Sequence, residues 1–354
     1  MEPTDASDHR ARPLVVDGAR RSGEPALMMR DVAARAGVSP ATVSRVLNNA
    51  PTVRDEYREK VLAAIAELGY RPNRLARNLR RRNTEMVGVV VSDIENPHFT
   101  QMVRAVEDAA YRRGYRVLLC NTDESAAKQA AYLEMPAAER MLGVILSPSD
   151  PAAPEIRELL DHSIHVVAFD RAVDDERADA VLADGGAAAR TAIRHLLEAG
   201  HERIAFIGGP RGVSTGAERL AGYEQAMRAA GLEPRWADGG FRIEGGQQAA
   251  EAMLDADPVP SALLVANNLM TIGARKALAA RGRRVPADVA LVGIDDPFWA
   301  ELIEPPLTAL AQPVREMADR AVTLLLERIS GRRTEPRRDV FDFELRVRGS
   351  SVAG

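Results

Sequence analysis

The sequence predicts a small all-α head joined to an α/β body of two doubly wound parallel-sheet subdomains. Three observations predict it. Between residues 28 and 69, three short helical patterns are punctuated by glycines that act as stop signals. From Met86 onward, short continuous apolar runs alternate with helical patterns, as strands covered on both faces do. Charge is also unevenly divided. Residues 28–83 hold about twelve Arg and Lys against about five Asp and Glu, roughly +7, yet the 354-residue chain has a formal net charge of −4. A basic head on an acidic body suits a protein that meets phosphates at one end only.

The elements follow in order. Residues 1–27 are polar, lack the apolar core of a signal peptide and are expected to be a disordered extension. The first helix is expected over Arg30–Ala36, stopped by Gly37, where a left-handed residue costs no Cβ strain. Ser39 is placed to cap the second helix. That helix carries Val43, Val46 and Leu47 on one face and Thr42, Ser44, Arg45 and Asn48 on the other. Two short helices around a glycine turn make a helix-turn-helix, whose second helix enters the major groove of DNA. A third helix, Asp55–Leu68, is expected to close the small core with Val61, Leu62, Ile65 and Leu68, and Gly69 ends it. Asn73 can cap a two-turn segment, Asn73–Leu79, that is too short to be helical alone in water.

In the body, MVGVVVSDI (86–94) leads into a turn, NPHF, and a helix from about Thr100 to Arg113. YRVLLCNT (115–122), a helix through Met141, GVILSP (143–148), HVVAFD (165–170) and AVLAD (180–184) complete one half. RIAFIGG (203–209), WADGGF (236–241), ALLVAN (262–267) and VALVGID (289–295) repeat the alternation, and FDFELRVR (341–348) is the last strand pattern. Ligands of such folds lie beyond the carboxyl ends of the strands. The polar and aromatic groups there are His98, Phe99, Asp170, Arg171, Asp184, Thr215, Arg219, Phe241, Asn267 and Asp295. Phe99 and Phe241 could stack on a sugar ring or a base.

Several classes are excluded. Cys120, in the apolar run VLLC, is the only cysteine, so there is no intrachain disulfide or Cys-rich metal site. No stretch approaches the ~20 apolar residues of a membrane span, and the protein is expected in the cytoplasm. SDIENPHF stands where a dinucleotide-binding G-x-G-x-x-G would follow the first strand, and no GxSxG, HExxH or P-loop occurs. No catalysis, metal or cofactor is expected, and Asp295-Asp296 reads as a solvated or hinge-forming pair. Lys is scarce and Arg abundant, so some Arg carry no special role.

AGVSPATVSRVLNN, followed by VRDEYREKVLAAIAELGYRPNRLARNLR, resembles the DNA-binding end of the LacI/GalR family of bacterial transcriptional regulators. The resemblance implies a repressor that binds pseudo-palindromic operator DNA as a homodimer and is switched by a small molecule, a carbohydrate or nucleoside. An alternative within the same architecture is a global regulator tuned by a protein co-regulator. It implies base readout by Pro40, Ala41 and Arg45, with Thr42, Ser44, Asn48 and Thr52 on phosphates or sugars. Asn73, Ala76, Arg77 and Leu79 match a hinge helix that pairs across the dimer in the minor groove, with Leu79 as its apolar wedge. The implied layout is a DNA-binding domain over 28–72, a hinge and linker over 73–83, an effector and dimerisation domain over 84–349 and a tail over 350–354. The body resembles a type I periplasmic binding protein, with an N-subdomain of about 84–183 and 312–341 and a C-subdomain of about 184–310 and 342–349. The chain is expected to cross between them near Ala183, Leu310 and Phe341. Arg219 and Asp295 match effector-holding positions. Three departures stand out. Met28 replaces the usual Thr or Ser cap, so the first helix is expected to fray. Asp184-Gly185 and Asn267-Asn268 replace Asp-Asn and Asn-Asp, each removing a polar group near the crevice.

Overall fold

The computed structural model describes residues 27–47, 50, 53–70 and 85–352. The chain separates into two compact units, 1–81 and 82–354. Asn48, Thr52, Asn73, Ala76, Arg77 and Leu79, together with the amino-terminal extension, lie outside the described residues.

The head consists of α1 (Met29–Ala36), α2 (Pro40–Leu47) and α3 (Asp55–Leu68). Gly37 and Gly69 end α1 and α3 in the left-handed region, at φ 64° and 58°. Val32, Ala33, Val43, Val46, Val61, Ala64 and Tyr70 form its core. The expected α3 face needs one correction. Leu62 is 52% exposed, whereas Val61 is buried, Ile65 and Leu68 are half-buried and pack against the core as expected, and Ala64 joins them.

The body contains two six-stranded sheets. The first has the order β11-β5-β4-β3-β1-β2, all parallel. Its strands are β1 (Met86–Val91), β2 (Arg116–Asn121), β3 (Gly143–Leu146), β4 (His165–Phe169), β5 (Asp179–Ala183) and β11 (Arg338–Phe341). The second has the order β12-β10-β9-β8-β6-β7. It comprises β6 (Ile204–Gly208), β7 (Arg235–Asp238), β8 (Ala262–Val265), β9 (Ala290–Ile294), β10 (Thr308–Ala311) and β12 (Glu344–Arg346). All its pairs are parallel except β10 with β12. The central strands are buried residue for residue, which is why they read as unbroken apolar runs.

Helices cover both sheets: α4 (Pro97–Arg112), α5 (Ala126–Ala138), α6 (Pro154–Asp161) and α11 (Val314–Ile329) on the first, and α7 (Gly185–Glu198), α8 (Ser214–Ala229), α9 (Ile243–Leu254) and α10 (Asn268–Ala280) on the second. The chain leaves the first sheet after β5, returns after β10 to lay α11 and β11 on it, and leaves again to form β12. Met317, Ala318, Ala321, Val322, Leu324 and Leu325 of α11 enter one core cluster with Val87, Val89, Ile145, Val167 and Val181. Each buried Val, Leu, Ile or Met among them contributes roughly 1.5–3 kcal/mol relative to exposure. Cys120 is buried beside Val90 and Leu133, and its burial raises the thiol pKa.

Four boundaries differ from the sequence reading. The helix after β1 begins at Pro97, not Thr100, because Asn96 caps it by accepting the His98 amide at 2.9 Å and proline suits its first turn. His98 and Phe99 therefore stand on a helix, not in a turn. β7 stops at Asp238, since Gly240 and Phe241 both take positive φ. FDFELRVR is not one strand: its ends belong to β11 and β12 in different sheets. The helix expected through Met141 ends at Ala138.

Candidate functional site

In the head, the Ser39 hydroxyl accepts the Thr42 amide at 3.1 Å and lies 2.9 Å from the Thr42 hydroxyl. Thr42 is thus engaged in the cap. Met28 supplies no side-chain cap to α1, as expected, but the Asp31 carboxylate reaches back and accepts the Met28 amide at 2.7 Å. Arg35 pairs with Glu67 and ties α1 to α3. With Val43 and Val46 turned inward, α2 presents Pro40, Ala41 and Arg45 to solvent, while Thr42 and Ser44 are half-buried. One face of α2 therefore carries a single long guanidinium beside two short apolar groups. Such a surface can donate to one base edge and touch methyls.

In the body, nine of the ten crevice candidates are buried: His98, Phe99, Asp170, Arg171, Thr215, Arg219, Phe241, Asn267 and Asp295. The crevice is closed, and its walls come from both halves. Asp170 and Asp295, at the ends of β4 and β9, both hold positive φ, at 63° and 73°. Non-glycine residues rarely adopt this conformation, and here it turns each carboxylate out of its strand. Gln312, just after β10, donates its amide to Asp170 at 3.3 Å and to Asp295 at 3.1 Å. His98 Nε2 lies 3.3 Å from Asp170, and Nδ1 lies 3.9 Å from Asp295. Burial disfavours the charged imidazole, but Asp295 and Asp170 outweigh it and raise its pKa. Burial likewise opposes ionisation of Asp170, yet His98, Arg219 and Arg171 hold it well below the ordinary carboxylate range.

Arg171 donates through both terminal nitrogens to Glu124 at 2.7 Å, and also to Ser92 at 3.0 Å and the Pro148 carbonyl at 3.2 Å. Its guanidinium sits 5.7 Å from the Phe99 ring centre and 5.4 Å from that of Phe241. The two rings, expected to stack on a ligand, both lie against this arginine. Arg219 donates to the Ala266 carbonyl at 2.6 Å and lies over Phe343. A Cβ at Gly222 would meet the Gly186 carbonyl, so α7 and α8 touch backbone to backbone there, and Arg219 packs against Gly185. Asn267 caps α10 through the Met270 amide at 2.8 Å and donates to the Phe241 carbonyl. Thr215 is buried in the first turns of α8. Asp184 is only half-buried and caps α7 by accepting the Ala187 amide at 2.7 Å.

Sequence reasoning missed the partners that bridge the halves. Asn268 donates to Asn96 at 2.9 Å, so this residue supplies a polar contact where one had been thought lost. Arg242, preceding α9, reaches Asp93 and Asp123 at 2.9 Å each. The Ser214 hydroxyl accepts the Ala172 amide at 2.9 Å. The only advance signal was position, since all three groups precede or begin helices after strand ends. Asp296 is not solvated. Its side chain is 7% exposed and paired with Arg346 and Arg348 at 2.7 and 2.8 Å. Burial raises its pKa, but those two arginines outweigh it and hold it low. Among the described residues, no group of three His, Cys, Asp or Glu could hold a metal, and no helix is long and apolar enough to cross a membrane.

A helix-turn-helix head and a two-sheet body with a crevice between its sheets recur together in known proteins. The family described as bacterial regulatory proteins, lacI family, matches residues 28–73, and a periplasmic binding protein-like domain matches residues 193–351. The ribose operon repressor of Halalkalibacterium halodurans is 36% identical over 326 residues, covering 92% of this chain and 97% of that protein. The chain belongs to the LacI family. It is a DNA-binding transcriptional repressor and not an enzyme. The fold matches that of the Lac repressor dimer bound to operator and the anti-inducer ONPF, with a TM-score of 0.82 and 29% identity across 93% of this chain and 100% of that one. It also matches the transcriptional regulator CelR–cellobiose complex, with a TM-score of 0.70 and 36% identity across 92% of this chain and 99% of that one.

Proposed function

We propose that this LacI-family repressor binds a pseudo-palindromic operator as a homodimer in the cytoplasm and is switched by a neutral, hydroxyl-rich small molecule, a sugar or nucleoside, held in the crevice of the body. One observation carries the ligand reading. Buried side-chain atoms at the crevice without a hydrogen-bond partner include Nε2 of His98, Nε of Arg171, Nε of Arg219, Oδ1 of Asn268 and Oε1 of Gln312. A buried polar atom left unpaired costs about 1–3 kcal/mol, so this mixture of donors, acceptors and an imidazole nitrogen suits hydroxyls, which can both give and accept. Asp170 and Asp295 add acceptors for vicinal hydroxyls. Both terminal nitrogens of Arg171 are already held by Glu124, which disfavours an anionic ligand. The relatives named for a ribose operon and solved with cellobiose support the same class.

In this reading Arg45 contacts a guanine, Pro40 and Ala41 leave room or touch methyls, and Ser44 positions the helix on the backbone. Asn48 and Thr52 also contact the backbone. Asn73, Ala76, Arg77 and Leu79 form a hinge that folds on the operator. The effector changes the angle between the halves, and operator affinity shifts by the difference in effector affinity between the two states. The dimer face includes the exposed Phe298 and Leu302.

Selection from a random duplex library, followed by calorimetry with a panel of sugars and nucleosides, tests this reading. An inverted-repeat consensus and at least one binder are expected. A chain that stays monomeric and ignores duplex DNA at low ionic strength would sink it. Binding of a protein from the same cells, with no heat from any small molecule, would favour a co-regulator instead.

A further inference from the structure

Three phenylalanine rings stand at the crevice, and an arginine lies over each. Arg171, just after β4, sits 5.7 Å from the centre of Phe99 and 5.4 Å from that of Phe241. Arg219 sits 6.0 Å from the centre of Phe343, which packs against the cores of both halves. The rings are covered from other directions too. A Cβ at Gly209 would overlap the Phe241 ring, so the backbone there presses on it. Phe99 packs among Val87, Val89 and Met102, and the His98 ring meets it at 5.3 Å. The cover is held in place. Arg171 gives both terminal nitrogens to Glu124, and one of them also to Ser92 and the Pro148 carbonyl. Glu124 is set toward it by a left-handed backbone, at φ 56°, whose amide donates to the Ser92 carbonyl. Arg219 is tied to the Ala266 carbonyl.

A nucleobase draws much of its binding from an open aromatic face. A sugar can be held through its hydroxyls alone. Baring a face for a base means pulling Arg171 off Glu124, which breaks two charge-assisted hydrogen bonds, the strong kind. The unpartnered atoms of Arg171, Arg219, Asn268 and Gln312 can meet hydroxyls while both arginines stay where they are. We propose that Arg171 and Arg219 are specificity-determining residues: they occupy the aromatic faces of the crevice, so that it takes a free sugar and turns away a nucleoside or a free base. The proposal rests on the crevice reading above and narrows it to one of its two ligand classes. Arg171 does most of the excluding, because it covers two rings and has more bonds holding it.

The probe is 2-aminopurine, a fluorescent base whose emission falls when it stacks. Mixed with the unsubstituted full chain, it is expected to keep its emission. The chain carrying Arg171→Ala and Glu124→Ala together bares both rings and leaves no unpaired carboxylate behind. With that variant the emission should fall, and guanidinium chloride, at concentrations too low to unfold the chain, should restore it by refilling the vacated place. A fall with the unsubstituted chain overturns the proposal. So does unchanged emission with a variant that still unfolds cooperatively. Calorimetry of the unsubstituted chain with adenosine, guanosine and uridine needs no variant. No heat is expected, and any nucleoside that binds overturns the proposal even where the variant fails to fold. The two readings fail separately. A panel in which no sugar binds removes the sugar effector and leaves both base results as they are. A bound nucleoside keeps the crevice as the effector site and removes only the exclusion.

Discussion

Arg45 and Arg219 are each the sixth residue of a helix, yet they do opposite things with solvent. Arg45 stands exposed on α2, above the small core made by Val43 and Val46. Arg219 is 4% exposed, wedged against Gly185 and bonded to the Ala266 carbonyl. The head keeps its functional groups in water, so their loss costs the fold little. The body encloses its functional groups, so structure and function there draw on the same contacts. The lesson is that a substitution in the crevice reports on both at once, whereas one on the exposed face of α2 reports on recognition alone.

The largest effect is expected from Arg219→Met. It keeps the stem but leaves the Ala266 carbonyl without its donor, and should cost about 2–3 kcal/mol of stability along with any ligand response. Thermal unfolding, with and without the best sugar from the panel, measures both. A variant that loses the response with no change in unfolding temperature would break the comparison. Next comes Arg45→Ala, expected to cost about 1–3 kcal/mol in discrimination between matched and mismatched duplexes, with folding changed by less than about 0.5 kcal/mol. Competition gel shifts and denaturation curves separate the two. Retained discrimination would demote Arg45 to a phosphate contact. Ser39→Ala removes the α2 cap and should destabilise the head by about 1 kcal/mol, lowering affinity for every duplex alike. An altered preferred sequence would count against a purely structural role. Arg242→Ala is the mildest. Arg242 is part-exposed, and its pairs with Asp93 and Asp123 contribute about 0.5–1 kcal/mol. That loss should appear as a more open body in small-angle scattering rather than as a lower unfolding temperature.

The sequence revealed the two regions to different depths. Val89 to Val91, Ile145 and Phe206 announce buried strands because both faces of each strand are covered. Gly37 and Gly69 announce helix ends because their backbones must turn left-handed. The crevice candidates could be found because Asp170 and Asp295 terminate such strands. Their partners could not. Gln312, Asn268 and Arg242 are ordinary polar residues until two sheets close on each other, and no local pattern states which partner faces which. Likewise, Phe99 and Phe241 read as stacking platforms, but nothing nearby in the sequence indicated that Arg171 would lie against both.

The order of the strands also bears on how the molecule can be made. The last strand and a main covering helix of the first half, β11 and α11, arrive after all of the second sheet except β12 has been synthesised. Until then the cluster of Val87, Val89, Ile145 and Val167 is covered only in part, by Phe99, Met102 and Val106 of α4. A nascent chain emerging from the ribosome must therefore carry a nearly finished carboxyl-side lobe beside an amino-side one that lacks its roof. A premature stop anywhere before Arg338 leaves the first sheet without its edge strand and, earlier still, its roof, ready for chaperones or proteases.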